Sequence, residues 1–174
     1  MKIWKRNLIF GILFTLTAGS LAHFFYEWSG NNHFVGLFTP VNESVWEHMK
    51  LVFFPMLLYS VFFCLKNKKD VPCIGPALCF GILLGTSLIP VLFFTYVKAI
   101  GRDIFILDLA TFAISILAAY AAVYKLGPSC KLKPYGSLLC VLVGIYAACF
   151  FWFTYHPPEG LLFAEPTSAF FYGR

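Results

Sequence analysis

Histidine and carboxylate side chains recur near the ends of long apolar segments in this sequence. His23 and Glu27 are separated by four positions, so in a helix the imidazole and the carboxylate lie on the same face. Such a pair can ligate a metal ion or transfer a proton, or the imidazole and the carboxylate can simply form a hydrogen bond with each other. The spacing therefore indicates a candidate site and leaves these three roles open.

A second group lies in the run from Asn42 to His48, just after Thr39 and Pro40. Ser44 and Glu47 match a capping box, in which the serine and glutamate side chains bond to backbone N–H groups at a helix start. Capping explains these two residues without any chemistry, but it does not explain His48. We interpret Glu47 and His48 as candidate functional residues at the edge of the apolar region.

Two further ionisable residues flank later segments. Asp103 suits a helix cap or a partner for Arg102, whereas Asp108 lies one and a half turns deeper and needs a partner within the bundle. His156 ends the last apolar segment, before two prolines that stop a helix. It is a candidate ligand or an interfacial residue beside aromatic side chains.

The elements that must position these residues are membrane-spanning helices. Of the 174 residues, 60% are hydrophobic and 12% are charged, which is far from the balance of a soluble domain. Spans need about 20 mainly apolar residues, and helices satisfy their own backbone hydrogen bonds. We predict an all-α, polytopic bundle forming one domain over 1–174, with an outer tail at 156–174 and spans at about 8–27, 44–65, 74–97, 104–124 and 135–155.

The distribution of lysine and arginine predicts the orientation. Nine of these residues lie at the N-terminus and in the second and fourth connectors, and the other side has Lys50, Lys98, Arg102 and Arg174. Because basic connectors stay in the cytoplasm, we predict the N-terminus inside and the C-terminus outside a multi-pass protein of the plasma membrane. The first apolar segment is interpreted as a retained span, since no cleavage site for a signal peptide follows it.

The charge of +5 does not indicate a nucleic-acid partner, because the basic residues are scattered in short connectors. The expected partners are the lipid bilayer and a small molecule, an ion or a lipid. A disulfide scaffold is not expected, because the six cysteines contain no C-x-x-C pair and lie in or near spans and connectors placed in the cytoplasm.

The strings HFFYEWSG from His23 and VNESVWEHMK from Val41 resemble a family of uncharacterised bacterial integral membrane proteins. The resemblance extends more loosely to ILDLATF around Asp108 and to the proline-rich tail. It covers most of the chain and implies a small polytopic membrane protein. It implies no activity, because the family is a domain of unknown function.

A second resemblance concerns the pattern H-x-x-x-E followed by a glutamate and a proline. It is similar to the sterol-isomerase-like membrane fold, in which a histidine and two glutamates move protons on a lipid. The resemblance implies that His23 and Glu27 form the first pair and that Glu47 is the second glutamate. The spacing from Glu47 to Pro55 departs from that pattern.

Three functional hypotheses follow. The first is a polar pocket, open to the outside, that binds or transports a small molecule or ion; five spans without an inverted repeat would then require a homo-oligomer for transport. The second is a membrane enzyme acting on a lipid-like substrate, by acid/base chemistry or with a divalent Zn, Fe or Mn ion. The third is a structural role for the polar cluster.

The candidate residues are His23, Glu27, Glu47, His48 and Asp108 for catalysis, and His23, Glu27, Glu47, His48 and His156 for metal binding.

Overall fold

The structure is a computed structural model that describes residues 3–67 and 69–165. The remaining positions include part of the predicted outer tail and the basic residues Lys2, Lys68 and Arg174, which therefore lie outside the described residues. Within the described ranges the chain is helical and contains no strand. The all-α class predicted from the sequence is confirmed.

Six α-helices follow one another along the chain, and a short 3-10 turn, Lys133–Tyr135, leads into the last of them. Five segments are long and apolar enough to cross a membrane, the last of which includes the 3-10 turn. The prediction of five helices long and apolar enough to span a membrane is confirmed. The helices are α1 (Ile3–Trp28), α2 (His33–Gly36), α3 (Val45–Asn67), α4 (Ile74–Ile100), α5 (Phe105–Ser129) and α6 (Gly136–Phe153).

Helix α4 is central to the packing, since it contacts α3, α5 and α6, while α1 packs against α3 and α5. Small residues permit the closest of these approaches. A methyl group added at Gly85 in α4 would lie 2.9 Å from the Ala119 side chain and 3.2 Å from the Ser115 carbonyl oxygen of α5. Gly81 faces the same helix, so the G-x-x-x-G pair serves as a packing surface between α4 and α5.

The cysteines differ from the expectation. Cys73, just before α4, and Cys130, just after α5, form a disulfide with a Cα–Cα distance of 5.1 Å. Helices α4 and α5 are antiparallel neighbours, so the start of one lies beside the end of the other. The two cysteines are 57 positions apart in the sequence, so no short cysteine motif could predict this disulfide. A disulfide scaffold was not expected from the sequence, and this single bond departs from that expectation.

Thiol labelling is expected to distinguish the paired cysteines from the free ones. Cys64, Cys79, Cys140 and Cys149 are free thiols, so the unfolded, unreduced protein should take up four maleimide labels. Reduction should raise the number to all six cysteines of the chain. Mass spectrometry of the labelled protein measures both values. Six labels without reduction would show that the Cys73–Cys130 bond does not exist in the purified protein.

Candidate metal centre

A close approach between α1 and α3 places the first histidine. A methyl group at Gly19 would lie only 2.4 Å from the carbonyl oxygen of Leu51, so the two helices nearly touch there. His23 follows Gly19 by one turn on the same face of α1. His48 precedes Leu51 by nearly one turn of α3. The glycine contact therefore brings the two imidazole rings together, with centroids 5.2 Å apart.

The second histidine is oriented by a hydrogen bond to the helix backbone one turn earlier. His48 lies in the first turn of α3, and its Nδ1 is 2.9 Å from the carbonyl oxygen of Ser44. A carbonyl oxygen only accepts hydrogen bonds, so Nδ1 carries the hydrogen of neutral His48. Its Nε2 then has a free lone pair directed at His23. A hydrogen bond from the second ring nitrogen to a carbonyl is the usual support of a metal-ligating histidine.

The carboxylate of the cluster comes from the loop before α3. Asn42 Oδ1 accepts a hydrogen bond from the backbone N–H of Ser44 at 3.0 Å, which fixes the turn that holds Glu43. Glu43 Oε2 lies 3.7 Å from His23 Nε2 and 3.4 Å from His48 Nε2. Three elements, α1, the loop and α3, thus converge on one point.

The three side chains are accessible from outside the bundle. His23 and His48 are 32% and 30% exposed, and Glu43 is 65% exposed. The contact with the His23 imidazole is the main reason that the pKa of Glu43 lies below its ordinary value; partial burial opposes this effect and the His48 charge adds to it. Glu43 is therefore a carboxylate throughout the neutral range, available as an anionic ligand.

The spacing of the three atoms suits a tetrahedral metal ion. The two Nε2 atoms are 3.3 Å apart, and the distances to Glu43 Oε2 are 3.4 and 3.7 Å. Ligands at 2.0–2.1 Å in a Zn²⁺ tetrahedron are about 3.3–3.4 Å from one another. An octahedral ion with similar bond lengths requires about 3.0 Å between adjacent ligands. The spacing is therefore compatible with a tetrahedral ion such as Zn²⁺.

Glu47, a predicted site residue, occupies a different environment. It is 2% exposed, and its Oε2 accepts hydrogen bonds from Lys50 Nζ at 2.7 Å and from the Val41 backbone N–H at 3.0 Å. The capping box forms only in half, because Ser44 Oγ accepts from the Glu47 N–H while the Glu47 side chain turns to Lys50. Glu47 thus joins a buried ion pair and not the histidine cluster.

Lys50 holds that ion pair in place. This lysine is 0% exposed and donates hydrogen bonds to the carbonyl oxygens of Gly36 and Thr39 and to Thr154 Oγ1, besides Glu47. It connects α3 with the preceding loop and with the residue that follows α6. Lys50 was placed on the outer side in predicting the orientation, but its side chain points into the protein and adds no exposed connector charge.

The other predicted site residues do not supply the three ligand atoms, although Glu27 acts electrostatically on His23 and His48 acts on Asp108. Glu27 is exposed one turn beyond His23 on α1. Asp108 accepts a short hydrogen bond from the Tyr96 hydroxyl, which provides the partner expected for it. His156 stacks on Trp152, with centroids 4.8 Å apart, as an interfacial residue does. Of the predicted residues, the structure brings only His23 and His48 together.

Glu43 and Lys50 are the residues that sequence reasoning missed. Glu43 belongs to the run from Asn42 to His48 but was not chosen as a candidate, although one signal pointed to it. It precedes the helix start, so capping by Ser44 leaves its side chain free to face outward from the loop. Lys50 gave a signal too, since Glu47 lies three positions earlier and shares its helix face.

Residues 1–173 match a family of unknown function, DUF6512. The chain belongs to this family. The match covers nearly the whole chain and agrees with the resemblance noted for the strings around His23 and Glu43. No curated protein and no solved structure matches the chain. The likeness to the sterol-isomerase-like fold stays a prediction, and its second glutamate would be Glu47, which here is paired with Lys50.

The affinity of the cluster for Zn²⁺ is expected to fall on acidification. Metal binding requires neutral imidazoles, so protons would compete with the ion at both ring nitrogens, and the affinity should be roughly 10-fold or more lower at about pH 5.5 than at about pH 7.5. Glu43 adds nothing to this loss, because its lowered pKa keeps it ionised over the interval. Calorimetric titration at both pH values measures the effect. An affinity that is equal or higher at the acidic value would contradict it.

Proposed function

We propose that this DUF6512 protein is a membrane protein that binds a divalent metal ion, with Zn²⁺ as the preferred ion, through His23, Glu43 and His48. The observation that carries the proposal is the mutual spacing of 3.3, 3.4 and 3.7 Å among the three ligand atoms. A simple hydrogen bond between His23 and His48 would not require a carboxylate. The Glu43 carboxylate nevertheless lies at a similar distance from both rings. The cluster has the composition of known His₂Glu zinc sites.

We propose that the site exchanges its metal ion with the surrounding solution. Three protein ligands leave the fourth tetrahedral position for water or a bound molecule, whereas structural zinc sites use four protein ligands. The partial exposure of both imidazoles supports entry of an ion from the aqueous side. Binding of an ion, or its delivery to a transport step, is therefore the function that the geometry supports best.

A membrane enzyme is the second candidate. The open position supports it, because His23, Glu43 and His48 would hold the ion, and a bound Zn²⁺ would supply Lewis-acid activation of water for hydrolysis of an ester. The exposed aromatic side chains of Phe24, Phe25 and Trp28 lie beside the cluster on α1 and would contact a lipid-like substrate. Hydrolysis of such a substrate by the zinc-loaded protein, and not by the His48→Ala variant, would favour this candidate over simple binding.

Metal content tests the proposal. The protein is purified in detergent, its free thiols are alkylated so that cysteines cannot bind zinc, and it is treated with a chelator and dialysed against Zn²⁺. We expect elemental analysis to find about one bound Zn²⁺ per chain, as one site of three ligands requires. The matched control is His156→Ala, which removes an exposed histidine outside the cluster and should keep the ion. A His48→Ala variant that retains the ion would refute the site.

The predicted orientation would place the metal site on the outer face of the plasma membrane. With Lys50 buried in an ion pair, the predicted outer connectors retain Lys98 and Arg102 among the described residues, which strengthens the bias toward a cytoplasmic N-terminus. The Cys73–Cys130 disulfide argues in the other direction, because disulfides are rare in the cytosol. A reporter enzyme fused after Arg174 should be active only outside the cell, and activity inside would reverse the assignment.

A further inference from the structure

A groove lies between α1 and α3, near the start of the first helix and the end of the other. It has a volume of about 380 Å³ and is lined by Arg6, Asn7, Phe10, Tyr59, Phe62 and Lys66. Its distance from the metal cluster follows from the helical rise, since Arg6 and His23 are 17 positions, or about 25 Å, apart along α1. The groove is therefore a separate feature at the opposite end of the helix.

The floor of the groove is fixed by hydrogen bonds between buried groups. Asn7 and Tyr59 are 4% and 8% exposed. The Tyr59 hydroxyl donates to the Asn7 carbonyl oxygen at 2.7 Å, and Asn7 Nδ2 donates to Asn67 Oδ1 at 2.9 Å. These bonds join α1 and α3 across the base of the groove, so its shape is formed before any ligand arrives.

Two cations stand at the polar end of the groove. Arg6 and Lys66 are both exposed. Neither forms an ion pair with a carboxylate within residues 3–67 and 69–165, where the acidic partners pair with His23, His48 and Lys50 instead. Both cations line the same groove. A guanidinium attracts a phosphate group through two parallel hydrogen bonds, and an ammonium attracts it as a point charge.

The remaining wall of the groove is apolar. Phe10 lies four positions after Arg6 on α1, and Phe62 lies four positions before Lys66 on the antiparallel α3. Each phenylalanine is thus one turn, about 6 Å, deeper in the membrane than the cation on its helix. Phe10 and Phe62 are 55% and 51% exposed, and Lys66 Nζ lies over the Phe62 ring at 5.3 Å from its centroid, so the cation and the exposed ring adjoin.

We propose that this groove binds one anionic phospholipid, with the phosphate between Arg6 and Lys66 and an acyl chain along Phe10 and Phe62. A cationic rim followed one turn deeper by aromatic rings matches the order of charge and hydrocarbon in a phospholipid. Basic pockets between membrane helices recognise anionic headgroups in this way. A free phosphate ion would use the rim alone and would gain nothing from the two phenylalanines.

Native mass spectrometry of the full chain in detergent tests the proposal, with phosphatidylglycerol and phosphatidylcholine added in equal amounts. We expect retention of one phosphatidylglycerol in preference to phosphatidylcholine. The Arg6→Gln/Lys66→Gln variant should lose roughly 25-fold in affinity, about fivefold for each cation. The matched control is Lys69→Gln/Lys131→Gln, which removes the same charge from exposed positions outside the groove and should bind as the wild type does.

Three results would overturn the proposal. The first is equal retention of the two lipids by the wild type, which is measurable without any variant. The second is an equal loss of phosphatidylglycerol in the groove variant and in the matched control, which would reduce the effect to net charge. The third is displacement of the lipid by inorganic phosphate, which would make the groove a site for a free anion.

Discussion

Replacing Lys50 by methionine is expected to lower the free energy of unfolding by about 3–5 kcal/mol, because Glu47 would remain buried with its charge unpaired. Both side chains are inaccessible, at 0% and 2% exposure, and Nζ is 2.7 Å from Oε2. The substitution also leaves the carbonyl oxygens of Gly36 and Thr39 without their donor. Unfolding in mixed detergent micelles measures the loss.

Two further variants isolate the cause of that loss. Lys98→Met removes an exposed lysine from α4 and should change the stability by less than about 0.5 kcal/mol. Glu47→Gln/Lys50→Met removes both charges and should be more stable than Lys50→Met alone, although the hydrogen bonds of Lys50 stay lost. A Lys50→Met protein as stable as the Lys98→Met control would contradict the buried ion pair.

Removing any one ligand of the cluster is expected to weaken Zn²⁺ binding by about 100-fold or more, because substitutions of groups that merely support a metal ligand already cost 10- to 100-fold. His23→Ala and His48→Ala each remove an imidazole at the 3.3 Å contact. Glu43→Gln keeps the shape of the side chain and removes the anionic oxygen. Competition with a chromophoric zinc chelator measures all three affinities.

The controls for these ligand variants come from the same surface. Glu27→Gln removes an exposed carboxylate one turn from His23, and His156→Ala removes a histidine stacked on Trp152. Both should bind Zn²⁺ within about threefold of the wild type, since neither group touches the cluster. Equal losses in ligand and control variants would indicate binding to scattered surface groups and would refute a single site.

The helices could be predicted from sequence because hydrocarbon selects for long apolar segments, whatever their contacts. Several helices extend beyond the predicted apolar spans. The first span was predicted to begin at about position 8, but α1 starts at Ile3, since Lys5 and Arg6 continue the helix beyond the apolar core. Polar residues end an apolar segment without ending a helix.

The candidate site could be predicted only in part. His23 and His48 stood out because imidazoles at membrane depth require partners. The choice between Glu43 and Glu47 depended on which carboxylate faces α1, and this is decided by tertiary packing at Gly19 and by the burial of Lys50. The Cys73–Cys130 bond depended likewise on the antiparallel contact of α4 with α5. Such contacts between distant positions leave no local pattern in a single sequence.

An anomalous difference map at the zinc absorption edge, from crystals grown with Zn²⁺, tests the central claim most directly. The account predicts one peak bound by His23 Nε2, His48 Nε2 and Glu43 Oε2, each at about 2.0–2.2 Å. A map without a peak between these atoms, or with its peak at His156 or at the free cysteines, would contradict the account.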